Sequence, residues 1–344
     1  MRLRKPTMKL FTIRSFVKYL CGMVLLATAI GLYAAGSADR PRHNVTQDDV
    51  QRWVKELSNW GRWGTNDELG TVNLITPAKR KEAAALVTTG LSISLAHDDS
   101  TLKEVDNEPP FGQQMLDADP HASTGYLMDR YSETYHGFGI THLDALCHMF
   151  YDGKFYNGFP RQSVTADGAH KLAVIHLKSG LFSRGILMDI PRLKGRAWLD
   201  PEEAIYPEDL DAWVKQTGVA IEPGDVLLIR TGHWARRDKL GPWDIGSHSA
   251  GLHASCGPWL RKHDIAILGS DAASDVLPSG VQGVPMPIHL LSLVAMGMPI
   301  LDNCDLEELS RIAAQQHRWV FLLTASPEPV PMGTGSPINP IAVF

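Results

Sequence analysis

Between residues 181 and 325 the chain repeatedly sets a short, almost wholly apolar run beside a longer amphipathic one, and few folds can absorb that rhythm. "RGILMDI", "DVLLIR", "DIAILGSD", "MPILDN" and "RWVFLLTA" are too short for typical helices and too apolar for a surface, so they read as buried strands. The intervening segments carry helix punctuation. "YPEDLDAWVKQTG" has Pro207 in its first turn and Gly218 at its end, and "AGLHASCGPWLRKH", "PIHLLSLVAMG" and "DLEELSRIAAQQ" continue the pattern. Strands alternating with helices make an α/β domain around a mixed β-sheet.

Upstream, "TQDDVQRWVKEL" reads as a helix capped by Thr46, and "TPAKRKEAAALVTTG" as a second, capped by Thr76, with Pro77 in its first turn and Gly90 as its stop. "LSISLA" and "KLAVIHL" are expected as strands. The tail, 327–344, is rich in Pro and Gly and is expected to run as extended loop, capping a sheet edge rather than wrapping a site. No repeat or charged linker divides residues 39–344, which are expected to form a single domain.

Residues 1–38 stand apart. Six basic residues precede an uncharged stretch from Tyr19 to Ala38 that ends in small residues, the pattern of a secretory signal. An uncleaved N-terminal anchor is the alternative, since the stretch is nearly long enough to span a bilayer. Either way the domain is expected to be exported, to the periplasm or the medium, with a membrane contact only if the segment stays attached. Removing six of 33 basic residues leaves 27 against 38 acidic ones, a net charge of about −11, which argues against a nucleic-acid or anionic-membrane partner, since either needs a basic footprint. Cys147, Cys256 and Cys304 remain after Cys21 is set aside, an odd number without close spacing, and read as buried thiols rather than a disulfide framework.

The chemistry is concentrated in "YHGFGITHLDALCH", residues 135–148, where His136, His142, Asp144 and His148 share one parity. In an extended strand His142 and Asp144 point the same way, and an imidazole and a carboxylate converging on one point suit Zn²⁺ or Mn²⁺. A carboxylate in so apolar a run is costly unless paired or metal-bound. His136 would lie roughly 20 Å away along an extended strand, at about 3.3 Å per residue, too far for the same ion without a bend. Single histidines are more often satisfied core or surface groups, and the paired spacing is what lifts His142 and Asp144 above that background.

"THLDALCH" resembles the signature of the cyclase family of metal-dependent hydrolases, which includes kynurenine formamidase and isatin hydrolase, and the likeness continues through "WGRWGTNDELGTVNLITPAKR", "FYDGKFYNGFP", "GDVLLIRTG", "ILGSDAASDVLP" and "PMPIHLLSLVAMGMPILDNCDLEEL". The resemblance implies a swivelling β/β/α-like fold. It implies metal ligands at His142 and Asp144, further ligands at His289 and Asp302, and a proton-transfer role for His148. The family's first histidine is replaced by Phe138, and Asp302 stands where glutamate is commoner. That loss argues for one ion rather than two, held by His142 and Asp144 with Asp302 or His289; His136 as a displaced substitute is the less favoured alternative, given its distance. The implied activity is hydrolysis of a non-peptide amide or lactam C–N bond in a small organic substrate, with His148 as proton shuttle and a homo-oligomeric assembly. A catalytically degenerate small-molecule-binding protein and a metal-dependent cyclase or dehydratase are the alternatives.

Weaker signals surround the motif. Phe138, Tyr151 and the neighbouring aromatics could line a pocket for a planar substrate, or simply pack the core. Arg230 could hold a substrate carboxylate or form a structural ion pair. Asp271 and Asp275 could steady a metal-bound histidine or cap helices.

Overall fold

Alternate residues of the apolar runs feed opposite cores, which is what makes them interior strands. Leu187, Leu228 and Ile267 pack into one cluster, whereas Ile186, Met188, Leu227, Ile229 and Leu268 join the other. Each such side chain contributes roughly 1.5–3 kcal/mol on burial, so two-sided burial strongly favours the interior positions these runs occupy. The computed structural model describes residues 43–117 and 119–344, and Val45–Phe344 form one compact unit. The signal-like segment, 1–38, lies outside the described residues.

From one edge of the nine-stranded sheet to the other, the strands are Ser92–Ser94, Ile341–Val343, Val320–Ala325, Leu181–Asp189, Val226–Arg230, Ile267–Ser270, Ile300–Asp302, His142–Asp144 and Gly335–Pro337. The four from Leu181–Asp189 to Ile300–Asp302 are parallel, and the flanking pairings are antiparallel. The sheet is therefore mixed and the domain α/β. Because the central strands are parallel, Arg230, Ser270 and Asp302 end them at one rim, where open α/β sheets place their ligands. The motif strand enters that rim antiparallel, with His142 opposite Asp302 and Asp144 opposite both Ile300 and Gly335.

Most of the expected helix signals hold, although the second helix ends at Ala84, short of the expected stop at Gly90. Thr46 and Asp49 form a reciprocal capping box on Gln47–Glu56, Thr76 accepts from Lys79 N–H ahead of Pro77–Ala84, and Gly218 closes Pro207–Thr217 in the left-handed conformation. Glu307–Gln316 packs Leu309, Ile312 and Ala313 on the first core, and Leu210, Trp213, Trp259 and Leu260 cover the second.

Three segments differ from expectation. "KLAVIHL" contains a 3-10 turn, Val174–Leu177, and no strand; Leu172, Val174 and Leu177 all enter the same core, so its apolarity serves one face. The tail is not loop: Ile341–Val343 is inserted between Ser92–Ser94 and Val320–Ala325, and Gly335–Pro337 forms the far edge. Pro337 is tolerated there because an edge strand can spare an N–H. Residues 112–132, unassigned from sequence, form a two-stranded ribbon, Gly112–Asp117 with Met128–Ser132, exposed on both faces. Among the described residues no helix is long and apolar enough to cross a membrane, and Cys147, Cys256 and Cys304 are free and buried.

Candidate metal centre

The strand bearing the motif is only three residues long, His142–Asp144, and this brevity rearranges what the even spacing suggested. Residues 137–141 bend instead of extending, and the Asn303 side-chain amide donates to the carbonyls of Gly137 (2.6 Å) and Ile140 (3.0 Å). The distance expected for His136 along an extended chain therefore does not apply. Its Nδ1 lies 2.8 Å from Asp144 Oδ1.

Asp144 is the hub. His142 Nε2 is 3.5 Å from its Oδ1, and His289 and His148 Nε2 are 3.6 Å and 3.9 Å from its Oδ2. Asp302 Oδ2 approaches His289 Nε2 at 3.1 Å. Two triads result, His136–His142–Asp144 and Asp144–His289–Asp302, each with its donor atoms within 4.8 Å of one another. The two share the Asp144 carboxylate.

Each triad imidazole is anchored through its other nitrogen. His142 Nδ1 donates to Ile140 O at 2.9 Å, His136 Nε2 contacts Thr334 Oγ1 at 3.0 Å, and His289 Nδ1 faces Asp275 Oδ2 at 2.7 Å. Anchoring of this kind fixes the tautomer and aims the free lone pair, as metal-ligating histidines require. Ser274 Oγ donates to Asp302 Oδ1 at 3.2 Å. His148 follows a turn closed by its own N–H on Ala145 O, and its ring stacks on His136 at 3.9 Å.

The charges at this hub call for a cation. Asp144 is 1% exposed, yet among the described residues neither of its oxygens, nor His136 Nδ1, has a hydrogen-bond partner. The 2.8 Å approach between them is thus an electrostatic contact without hydrogen-bond geometry. With the His136 proton on Nε2, two lone pairs face each other there, an arrangement that a shared cation reconciles. Burial pushes the Asp144 carboxyl up, but the facing imidazoles of His136 and His289, helped by His142 and His148, hold it well below the usual range. Burial opposes charge on His289, yet Asp302, Asp144 and Asp275 raise its pKa well above the usual value. Burial also raises Asp275, against the attraction of His289. Among the described residues no Lys or Arg pairs with Asp144, Asp275 or Asp302. Imidazole and carboxylate donors in this number suit a divalent ion such as Zn²⁺ or Mn²⁺.

His148 behaves differently. Burial pushes its pKa down to about 4 despite the pull of Asp144, so the ring is neutral at physiological pH. The structure gives its nitrogens no short anchoring contact like those of the three triad histidines.

The remaining candidates divide between site and scaffold. Asp275 touches both sides: its carboxylate faces His289 Nδ1 and also accepts the N–H groups of Ile288 and His289. Asp271 only caps, accepting from Thr231, Gly232 and His233 at the start of His233–Leu240. Arg230 is a structural ion-pair residue rather than a substrate clamp: its guanidinium engages Asp189, Glu307 and the Ala197 carbonyl. Tyr151 packs against the second core, and Phe155 and Tyr156 are buried in the first. Phe138 lines a cavity of about 120 Å³ with Asp106, Asn107, Asp244 and Gly246. Thr334, Ser274 and Asn303 were missed: Ser274 and Asn303 adjoin the candidates Asp275 and Asp302, but a neutral side chain beside an acid carries no signal of what it contacts across the fold.

A family model described as a cyclase matches residues 80–275, a span that holds His136, His142, Asp144 and His148 but stops before His289 and Asp302. The crystal structure of a novel cyclase is similar at 31% identity and a TM-score of 0.76, over 83% of this chain and 99% of that one. Isatin hydrolase A from Labrenzia aggregata, bound to benzyl benzoate, is similar at 20% identity and a TM-score of 0.54, over 76% of this chain and 94% of its own. An isatin hydrolase bound to the product analogue thioisatinate is similar at 19% identity and a TM-score of 0.51, over 77% and 95% of the two chains. A search of curated protein sequences found no match.

Proposed function

Because the chain belongs to the cyclase family, we propose that it is a metal-dependent hydrolase that opens a non-peptide amide or lactam C–N bond in a small organic substrate. One observation carries this reading: both oxygens of the buried Asp144 carboxylate lack hydrogen-bond partners where two donor triads meet. The shared fold with isatin hydrolases supports a cyclic, aromatic amide as the kind of substrate to test first.

Zn²⁺ or Mn²⁺ would be held by His136, His142 and Asp144 on one side and by Asp144, His289 and Asp302 on the other. Such an ion supplies an acidified water, with a pKa brought toward ~7, and a positive charge that polarises the scissile carbonyl. The chain's own part is to hold the donors and to move the proton. His148, neutral and close to Asp144 Oδ2, accepts a proton from the attacking water and returns it to the leaving nitrogen. The ligand histidines cannot do this, because each has one nitrogen anchored and the other aimed at the hub.

The degenerate-binder reading rested on the lost first histidine, and the approach of His136 to Asp144 supports turnover instead. A dehydratase would use the same groups and is separated by mass, since hydrolysis adds one water to the substrate and dehydration removes one. We place the reaction outside the cytoplasm, in the periplasm or the medium, on the strength of residues 1–38, and in a homo-oligomer acting on a free small molecule.

The test is elemental analysis of the purified domain together with turnover of isatin and of N-formyl arylamines. Bound Zn or Mn, turnover abolished by chelator, and a ~10²–10⁴-fold fall in kcat for His148→Ala with metal content unchanged are expected. Turnover that survives complete removal of metal would sink the proposal.

A further inference from the structure

Building on the metal centre proposed above, we propose that Asn303 is a positioning residue that makes His136 a ligand, its side-chain amide folding the 137–140 loop back onto the hub. Phe138 cannot serve, since its side chain carries no donor atom; its ring lies beside Gly246, where an added Cβ would meet it at 3.1 Å. His136 reaches Asp144 only because the intervening chain doubles back, and the main long-range fastening of that bend is Asn303 Nδ2, bonded to Gly137 O and Ile140 O. The Ile140 carbonyl also accepts from His142 Nδ1. One amide thus couples the path of His136 to the ring orientation of His142.

The clamp is itself firmly seated. Asn303 is fully buried and directly follows the ligand Asp302. Its N–H donates to Ala272 O, and its carbonyl accepts from Thr141 Oγ1 at 2.7 Å. It sits at φ +56°, a left-handed conformation that asparagine tolerates better than most residues. On the far side, Thr334 Oγ1 holds His136 Nε2, and Gly335 leaves the room the ring needs: a Cβ there would come within 2.8 Å of His136 Cε1. His136 is therefore fixed by residues that are remote in sequence and absent from its own strand.

Glycine accepts the same backbone angle, so Asn303→Gly removes the amide without straining the chain. In Asn303→Gly, affinity for Zn²⁺ or Mn²⁺ measured by chelator competition is expected to fall about 10–100-fold. His136→Ala should fall by a similar factor, and the double variant no further than the worse single one. Unchanged affinity in Asn303→Gly, or losses that multiply in the double variant, would overturn the role. A second measurement needs no metal. In chelator-treated protein, diethyl pyrocarbonate labelling of His136, read by peptide mass against the exposed His121, should quicken several-fold in Asn303→Gly. Equal labelling overturns the clamp. Wild-type protein that takes up neither metal sinks the metal-centre reading, while the labelling arm still decides whether Asn303 holds His136. Should Asn303→Gly fail to fold, Asn303→Ser, whose hydroxyl is too short to bridge the two carbonyls, takes its place in both measurements, with the same losses expected and the same results overturning the role.

Discussion

Two buried carboxylates in this molecule solve the same electrostatic problem in opposite ways. Asp225, fully buried, receives Arg184 Nε at 2.9 Å and Nη2 at 2.7 Å, Lys79 Nζ at 2.9 Å and the Glu222 N–H at 2.8 Å. Its charge is balanced by cations the chain carries permanently. Asp144, equally buried, is ringed by four histidines and has no hydrogen-bond partner for either oxygen. Imidazole is neutral or cationic according to its surroundings, and as a neutral ring it offers a lone pair. The fold therefore places fixed charge where the carboxylate is structural and uses adjustable donors where an outside cation is to complete the balance. Arg230, locked between Asp189 and Glu307 at the same rim, belongs to the first kind.

The comparison breaks most sharply under paired substitution. Asp225→Asn leaves Lys79 and Arg184 underpaired in the interior and should cost about 3–5 kcal/mol in urea unfolding, with metal content unchanged. Asp144→Asn should do the reverse, reducing metal affinity by about two orders of magnitude or more and turnover with it, while chelator-treated protein loses less stability than the Asp225 variant. If Asp144→Asn keeps its metal, the contrast between the two sites is wrong.

A gentler perturbation sharpens the same contrast. Asp275→Asn keeps one oxygen, enough for the Ile288 N–H at the Oδ1 position, and replaces the oxygen that faces the His289 N–H and Nδ1. Metal affinity should drop about 10–100-fold in chelator competition with the fold intact. An unchanged affinity would mean that Asp275 is only a cap.

The smallest expected effect concerns a histidine outside the hub. Burial, with Arg237, His97 and Arg236 nearby, pushes the His233 pKa down to about 3. Its folded pKa lies below the unfolded value near 6.5, so the unfolded chain binds the proton more readily, and the associated stability is present above about pH 6.5 and lost as pH falls toward 3. At pH 5 the loss attributable to this residue is ~2 kcal/mol. Urea unfolding of wild type and His233→Leu at pH 7 and pH 5 measures it; equal pH sensitivity of the two proteins would remove His233 from the account.

How far the site was legible depended on how local each signal was. His142 and Asp144 could be paired from sequence because a strand, however short, sets residues two apart on one face, and the structure keeps their ligand atoms together. His289 and Asp302 came from resemblance alone, and their convergence on Asp144 depends on neighbouring strands that local spacing does not reveal. The place of His136 is not legible locally, because the strand begins only at His142 and the residues that bend the chain before it, Asn303 and Thr334, lie well over a hundred positions away. The tail was misread for a similar reason: Pro and Gly spoke for loop, whereas pairing with Asp144 and His142 made Gly335–Pro337 an edge strand.

By itself, the order of residues determined the α/β class, the helix caps and the presence of a histidine–aspartate motif, because propensity, periodicity and two-residue spacing act over short stretches of chain. Only the folded molecule decided that two donor triads share one carboxylate and that His136 belongs to them. Those facts rest on contacts between strands and loops far apart in sequence, where a hydrogen bond such as that from Asn303 to Gly137 leaves no trace in the local pattern.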